Sequence, residues 1–141
     1  MKIKIASENE IKHCYEILHQ IENSLTNEQI HKIISDQLKS GYKLIYVQCE
    51  DEVICVAGFS IRRNLTLGKH LYLDDYVTEK SVNTPAAGKT LLDFIKLYAK
   101  QQGCNSIHLD SYINRDNAQD FYISQDFKLI SHHFSMDLIK I

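Results

Sequence analysis

The spacing of apolar positions changes period along this chain, and each change marks an element. "KIKIA" (residues 2–6) alternates apolar and polar residues and predicts a short strand. Ser7 followed by Glu10 has the form of a capping box, and Ile11, Cys14, Leu18 and Ile21 then recur at helical spacing. A second helix is expected from Thr26, with Gln29 completing its box and Leu25 and Ile30 placed to pack as a hydrophobic staple. Its apolar stripe is Ile30, Ile33, Ile34 and Leu38, and Gly41 ends it. "YKLIYVQCE" and "EVICVAGFSIRR", joined at Glu50-Asp51-Glu52, read as a β-hairpin, and "KHLYLDDYVT" as a third strand of the same run. "SVNTPAAGKTLLDFI" (residues 81–95) opens a helix whose inward face is Leu91, Leu92, Ile95, Tyr98 and Ala99, closed by Gly103. "NSIHLDSYI" reads as a strand, "RDNAQDFYISQ" as a short helix, and "FKLI" with "HFSMDLI" as a final antiparallel pair. The order β-α-α-β-β-β-α-β-α-β-β predicts an α+β fold: a mixed, mostly antiparallel sheet flanked by helices on both faces.

No repeat, low-complexity tract or linker interrupts this order, so residues 1–141 read as a single domain, long enough to bury an ordinary core. A formal charge of −2 excludes the basic excess that nucleic acid would demand. No apolar run reaches a bilayer span, and "MKIKIASENE" lacks the apolar region of a signal peptide, so no membrane partner is expected and a cytoplasmic location is. Cys14, Cys49, Cys55 and Cys104 form no C-x-x-C pair. A bridge between Cys49 and Cys55 across the hairpin is the alternative to the favoured reading, reduced cysteines in a cytosolic core.

The start of the helix at residue 84 carries the first chemical signal. Thr84 can cap it with Pro85 at its first position, and many helices begin so without binding anything. Yet the N–H groups of Ala86, Ala87, Gly88 and Lys89 lie at the positive end of the helix dipole, beside small side chains that let a phosphate approach the backbone. "AAGKT" resembles the end of a Walker A loop, but Asn83 stands where that loop wants glycine, and the preceding strand follows a hairpin, not a parallel crossover. A nucleotide triphosphatase is therefore disfavoured.

Taken with the strand "YLDDYVT" before it and "RDNAQDFYISQDF" after it, the loop "NTPAAGK" resembles the acetyl-CoA site of the GNAT superfamily of N-acyltransferases, and the likeness covers essentially the whole chain. The family's loop is R/Q-x-x-G-x-G/A, and its later helix carries N-x-x-A-x-x-F/L-Y followed by Gly-Phe. This chain departs from those patterns at Asn83, Ala86, Arg115 and Asp126. The resemblance implies acetyl-CoA (CoA) as cofactor, its pyrophosphate on the amides of residues 86 to 90. Asn83, Ala86, Ala87, Gly88, Lys89 and Thr90 would stand around it, and Asn117 beside the cofactor. The pantetheine arm would pair like an added strand with Tyr76 and Val77. Tyr122 falls at the family's tyrosine, which protonates the leaving thiolate; otherwise it is a core aromatic beside Phe121. Asp74 and Asp75, adjacent on one strand, are expected on opposite faces by regular pleating. One of them would hold the amine or take its proton, and the family's habit favours Asp74.

No metal is expected. No H-x-x-x-H spacing occurs, adjacent His132 and His133 must point apart on a strand, and His70 and His108 read as core histidines or as lining of an acceptor pocket. With Asp74, Asp75 and Asp110 near strand ends, the expected activity is transfer of an acetyl group to a small cationic amine or a peptide amino group, by direct attack in a ternary complex. The alternative is a non-catalytic CoA-binding regulatory module with an eroded loop. Paired subunits are common in the family, so a homodimer is allowed.

Overall fold

A computed structural model of the chain describes residues 1–78, 84–113 and 116–139. By contacts it divides into two units, Met1–Leu109 and Asp110–Ile141.

The first unit is built on a five-stranded sheet in the order β1-β2-β3-β4-β5. Its strands are β1 (Lys2–Ile5), β2 (Lys43–Cys49), β3 (Glu52–Asn64), β4 (Gly68–Thr78) and β5 (Ser106–Leu109). Neighbours run antiparallel except β4 and β5, which are parallel, so the sheet is mixed and mostly antiparallel as expected. The runs "LIYV" and "ICVA" in β2 and β3 are apolar at every position because both faces are covered. Ile45, Val47, Ala57, Phe59, Leu71 and Leu73 pack with Ala87, Leu91, Ile95 and Ala99 of α3 (Thr84–Gln101). Leu44, Tyr46 and Val56 face the other way, onto Ile11, Cys14, Ile17, Leu18, Ile30 and Ile34. Those residues belong to a 3-10 run, Glu8–Cys14, its continuation α1 (Tyr15–Leu18), and α2 (Asn27–Leu38).

The helix punctuation follows the sequence closely. The Glu10 carboxylate accepts from the Ser7 N–H at 3.0 Å. At α2, Thr26 Oγ1 accepts from the Gln29 N–H at 3.1 Å and Gln29 Oε1 from the Thr26 N–H at 2.8 Å. Thr26→Ala removes one of these reciprocal bonds and is expected to lower unfolding stability by about 1 kcal/mol, read from denaturant titration. Gly103, at φ 76°, closes α3, with Cys104 N–H donating to Ala99 C=O at 2.9 Å. Ile33 departs from the expected stripe: it is 46% exposed while Ile30 and Ile34 are buried. Those two share one side of the helix one turn apart, and Ile33 falls on the flank.

Cys49 lies opposite Glu52, and Cys55 opposite Val47, so the hairpin register does not set the two cysteines against each other, and all four thiols are free. No helix of the described residues is long and apolar enough to cross a membrane.

The second unit contains α4 (Asp116–Ser124). The expected final strand pair is not formed: described residues 127–137 have no regular secondary structure, and Phe134 and Leu138 are 89% and 90% exposed. Alternating apolar residues confer strand propensity, but a two-stranded ribbon needs a sheet face to pack on before propensity becomes structure. β5 likewise stops at Leu109, short of the "DSYI" that continued its apolar pattern.

Candidate functional site

The site is organised by an irregularity in β4. Gly58 of β3 lies opposite Asp75, but the next residue, Phe59, lies opposite Leu73, which leaves Asp74 as the extra residue of a β-bulge. In a regular strand Leu73 and Tyr76 would point to opposite faces. Here both pack with the α3 cluster, and Val77 packs with the α1–α2 cluster. The bulge therefore brings both carboxylates to the α1–α2 face and overturns the expectation of opposite faces. The alternation argument fails because it presumes an unbroken period of two.

The two acids have different partners. Asp74 is bound to Arg62, Oδ1 to Nη2 at 2.7 Å, and the Arg62 guanidinium lies 4.2 Å from the centroid of the Tyr72 ring. Asp75 accepts a hydrogen bond from the Tyr42 hydroxyl at 2.6 Å. Burial pushes the Asp75 carboxyl above the ordinary carboxylate range; the Tyr42 bond opposes that rise and nearby Asp74 adds to it. The Tyr42 hydroxyl is pushed up by its own burial and by the two aspartates, so it stays protonated and donates.

The pairing of β4 with β5 ends just before this bulge. The parallel pairing runs from His70 opposite Ser106 to Leu73 opposite Leu109 and continues no further. Beyond it, Cys55 to Gly58 of β3 pair with Asp75 to Thr78, so this stretch of β4, with Tyr76 and Val77, stays extended past the end of β5. Extended backbone of this kind suits an amide-bearing arm that adds like a strand. The helix needed for the phosphate end is present: α3 is regular through Ala86, Ala87, Gly88, Lys89 and Thr90, with Ala86 exposed, and Ala87 and Gly88 buried. Lys89 forms an exposed ion pair with Asp93 at 3.1 Å, one turn along the helix. Asn83, Arg115 and the side chains of Thr84, Pro85 and Asn117 lie outside the described residues.

In the second unit, Tyr122 is half-buried, its ring 5.8 Å from Phe121 and 5.8 Å from Phe127. The helix ends there in a Schellman turn: Phe127 N–H donates to Tyr122 C=O and Asp126 N–H to Ile123 C=O, both at 3.0 Å, with Asp126 at φ 71°. Asp126 thus occupies the left-handed position where glycine is least strained. Asp126→Gly is expected to raise stability by about 1 kcal/mol, measured by denaturant unfolding; an unchanged midpoint would refute this reading of the turn. Asp110 pairs with His133 at 3.3 Å.

His70 is 2% exposed and donates from Nδ1 to Gly68 C=O at 2.9 Å. Its ring meets that of His108 edge-on at 5.1 Å, and burial together with His70 pushes the His108 imidazole down. His70 is a core histidine. Among the described residues, no three His, Cys, Asp or Glu side chains converge as a metal would require.

Three residues that sequence reasoning passed over complete the site: Tyr42, Gly58 and Arg62. Gly58 carried a readable signal, since an interior strand glycine often marks a close approach of other atoms. A Cβ there would lie 1.5 Å from the Tyr42 hydroxyl oxygen.

Residues 8–127 match the model of the acetyltransferase (GNAT) family. Over 120 residues, 84% of each chain, the sequence is 25% identical to YhdJ, an uncharacterised N-acetyltransferase of Bacillus subtilis (strain 168). The fold superposes on that of the aminoglycoside N-acetyltransferase AAC(6')-Iy, solved in complex with CoA, with a TM-score of 0.85 at 13% identity, covering 96% of this chain and 93% of that one. Glucosamine-6-phosphate N-acetyltransferase from Arabidopsis thaliana superposes with a TM-score of 0.77 at 18% identity, covering 98% of each chain.

Proposed function

From the premise that this chain belongs to the acetyltransferase (GNAT) family and is thereby an acyl-CoA-dependent N-acyltransferase, we propose that it moves an acetyl group from acetyl-CoA to a cationic small amine or a peptide amino group, with Asp75 as the proton acceptor. The observation that carries this reading is the β4 bulge, just past the end of the β4–β5 pairing, which sets the half-buried Asp75 carboxylate against the Tyr42 hydroxyl.

Tyr76 and Val77 would line the pantetheine arm, and the opening turn of α3, from Ala86 to Thr90, would hold the pyrophosphate, with Asn83 and Asn117 as further cofactor contacts. Bound acetyl-CoA supplies the thioester carbon and a thiolate leaving group. Asp75 would take the proton that the neutral form of the reacting amino group loses as its nitrogen bonds to the acyl carbon, directly or through one water. By the family's pattern, Tyr122 would supply the phenolic proton to the departing thiolate. Asp75 is preferred to Asp74 because Arg62 already neutralises Asp74. A carboxyl raised above the ordinary carboxylate range is also the better-matched proton acceptor. The Cys14 and Cys55 thiols are each pushed up to about 12 by burial, which argues against an acyl-cysteine intermediate at those two positions; direct attack in a ternary complex is the mechanism proposed.

Acceptor preference is tested with acetyl-CoA and a panel of 1,4-diaminobutane, a tripeptide with a free amino terminus, and glutamate. The reading expects the diamine or the peptide to turn over faster than glutamate; preference for the anionic acceptor would overturn it.

A further inference from the structure

Tyr42 is delivered to Asp75 by a chain of local constraints that begins in the sequence "SGYK". Gly41, at φ 95°, turns the chain out of α2 in the left-handed conformation that glycine adopts without strain. The Tyr42 N–H then closes the turn onto Gln37 C=O at 3.2 Å. Tyr42 enters the sheet just before β2, on the same side as Leu44 and Tyr46, in the α1–α2 cluster. Leu44 lies opposite Gly58, and Gly58 lies opposite Asp75. The tyrosine ring therefore crosses the whole width of β3 at the one position of that strand without a side chain. A Cβ at 58 would meet its Oη, Cζ and Cε2 at 1.5, 2.2 and 2.7 Å.

We propose that Tyr42, laid across Gly58, is a positioning residue for Asp75: its hydroxyl holds the carboxylate of the bulge in one orientation, leaving the other lone pairs to receive the amine proton. This rests on the reading of Asp75 as the proton acceptor. This phenol reaches the carboxylate along the α1–α2 face, over the backbone of Gly58, where its ring is buried. The titratable groups facing the pair are Cys14 from the 3-10 run and Asp74 of β4, the latter held by Arg62 of β3. Cys14, pushed up to about 12, stays neutral through the working range.

The Tyr42 bond lowers the pKa of Asp75, so its loss raises that pKa and moves the acidic limb of kcat/KM to higher pH. Tyr42→Phe in the full chain is expected to lower kcat about tenfold or more, with KM for acetyl-CoA little changed and the acidic limb displaced upward. Fluorinated tyrosine at position 42 preserves the ring and strengthens the donor, and is expected to displace the limb downward. Gly58→Ala, which evicts the ring, should move the limb as Tyr42→Phe does. Titration of the Asp75 carboxyl carbon by NMR should follow the same shifts without any acceptor present. A purely structural Tyr42 would affect the melting temperature and leave the limb of kcat/KM where it is; an unmoved limb in the fluorotyrosine protein overturns the inference even if Tyr42→Phe does not fold. Full activity in Asp75→Asn would instead remove the proton-acceptor reading itself, so the two failures are distinct.

Discussion

Asp75→Asn is expected to lower kcat/KM for amine acetylation by about 10²- to 10⁴-fold, the usual span for a lost general base, while CoA binding persists. Asn is nearly isosteric and can still accept from the Tyr42 hydroxyl, so the fold has no reason to change. The stability effect should run opposite to the activity effect. Burial raises the Asp75 pKa in the folded chain above its unfolded value. Between those two values the folded state holds the proton that the unfolded state has released. Stability therefore falls as pH rises from the unfolded pKa through the folded one, and at neutral pH the ionised carboxylate is a net cost. Removing the charge should leave Asp75→Asn as stable as the parent at pH 7 or more so, with the advantage vanishing in acid. A variant that loses activity and melts early at pH 7 would contradict this account.

Ala86→Glu is the second large effect. Ala86 is exposed in the first turns of α3, where a carboxylate favours the helix through its dipole. The same charge would sit where the pyrophosphate is proposed to rest. The expected result is an unchanged or slightly higher melting temperature together with about tenfold or weaker CoA affinity, read by calorimetry. Unchanged affinity would place the phosphate elsewhere.

The sheet and its helices were legible because their signals are local. The boxes at Ser7 and Thr26 and the turns at Gly41 and Gly103 all fall where the sequence puts them. The unbroken apolar runs of β2 and β3 report burial on both faces. What was not legible depends on register. Nothing in "YLDDYVT" announces that one aspartate is extra, because a bulge is decided by the pairing of β3 with β4, and that slip brings both acids to one face. The Tyr42 contact spans 33 residues and needs Gly58 opposite Asp75, a relation that exists only once the strands are paired. The C-terminal residues show the reverse: "HFSMDL" has a strand's alternation, yet these residues form no regular secondary structure, since propensity without pairing does not make a strand.

The resemblance to acyltransferases, carried by the order and spacing of weak motifs, agrees with a family match over residues 8–127. The departure at Asp126 leaves the backbone turn intact, in the left-handed conformation that the usual glycine would adopt.

The most direct test is to mix the purified chain with acetyl-CoA and 1,4-diaminobutane or a peptide with a free amino terminus, and to follow free thiol together with acetylated amine. The account predicts thiol release that depends on the amine, with acetylated product formed in equal amount. Thiol release indifferent to the amine, or neither turnover nor CoA binding across the panel, would contradict it.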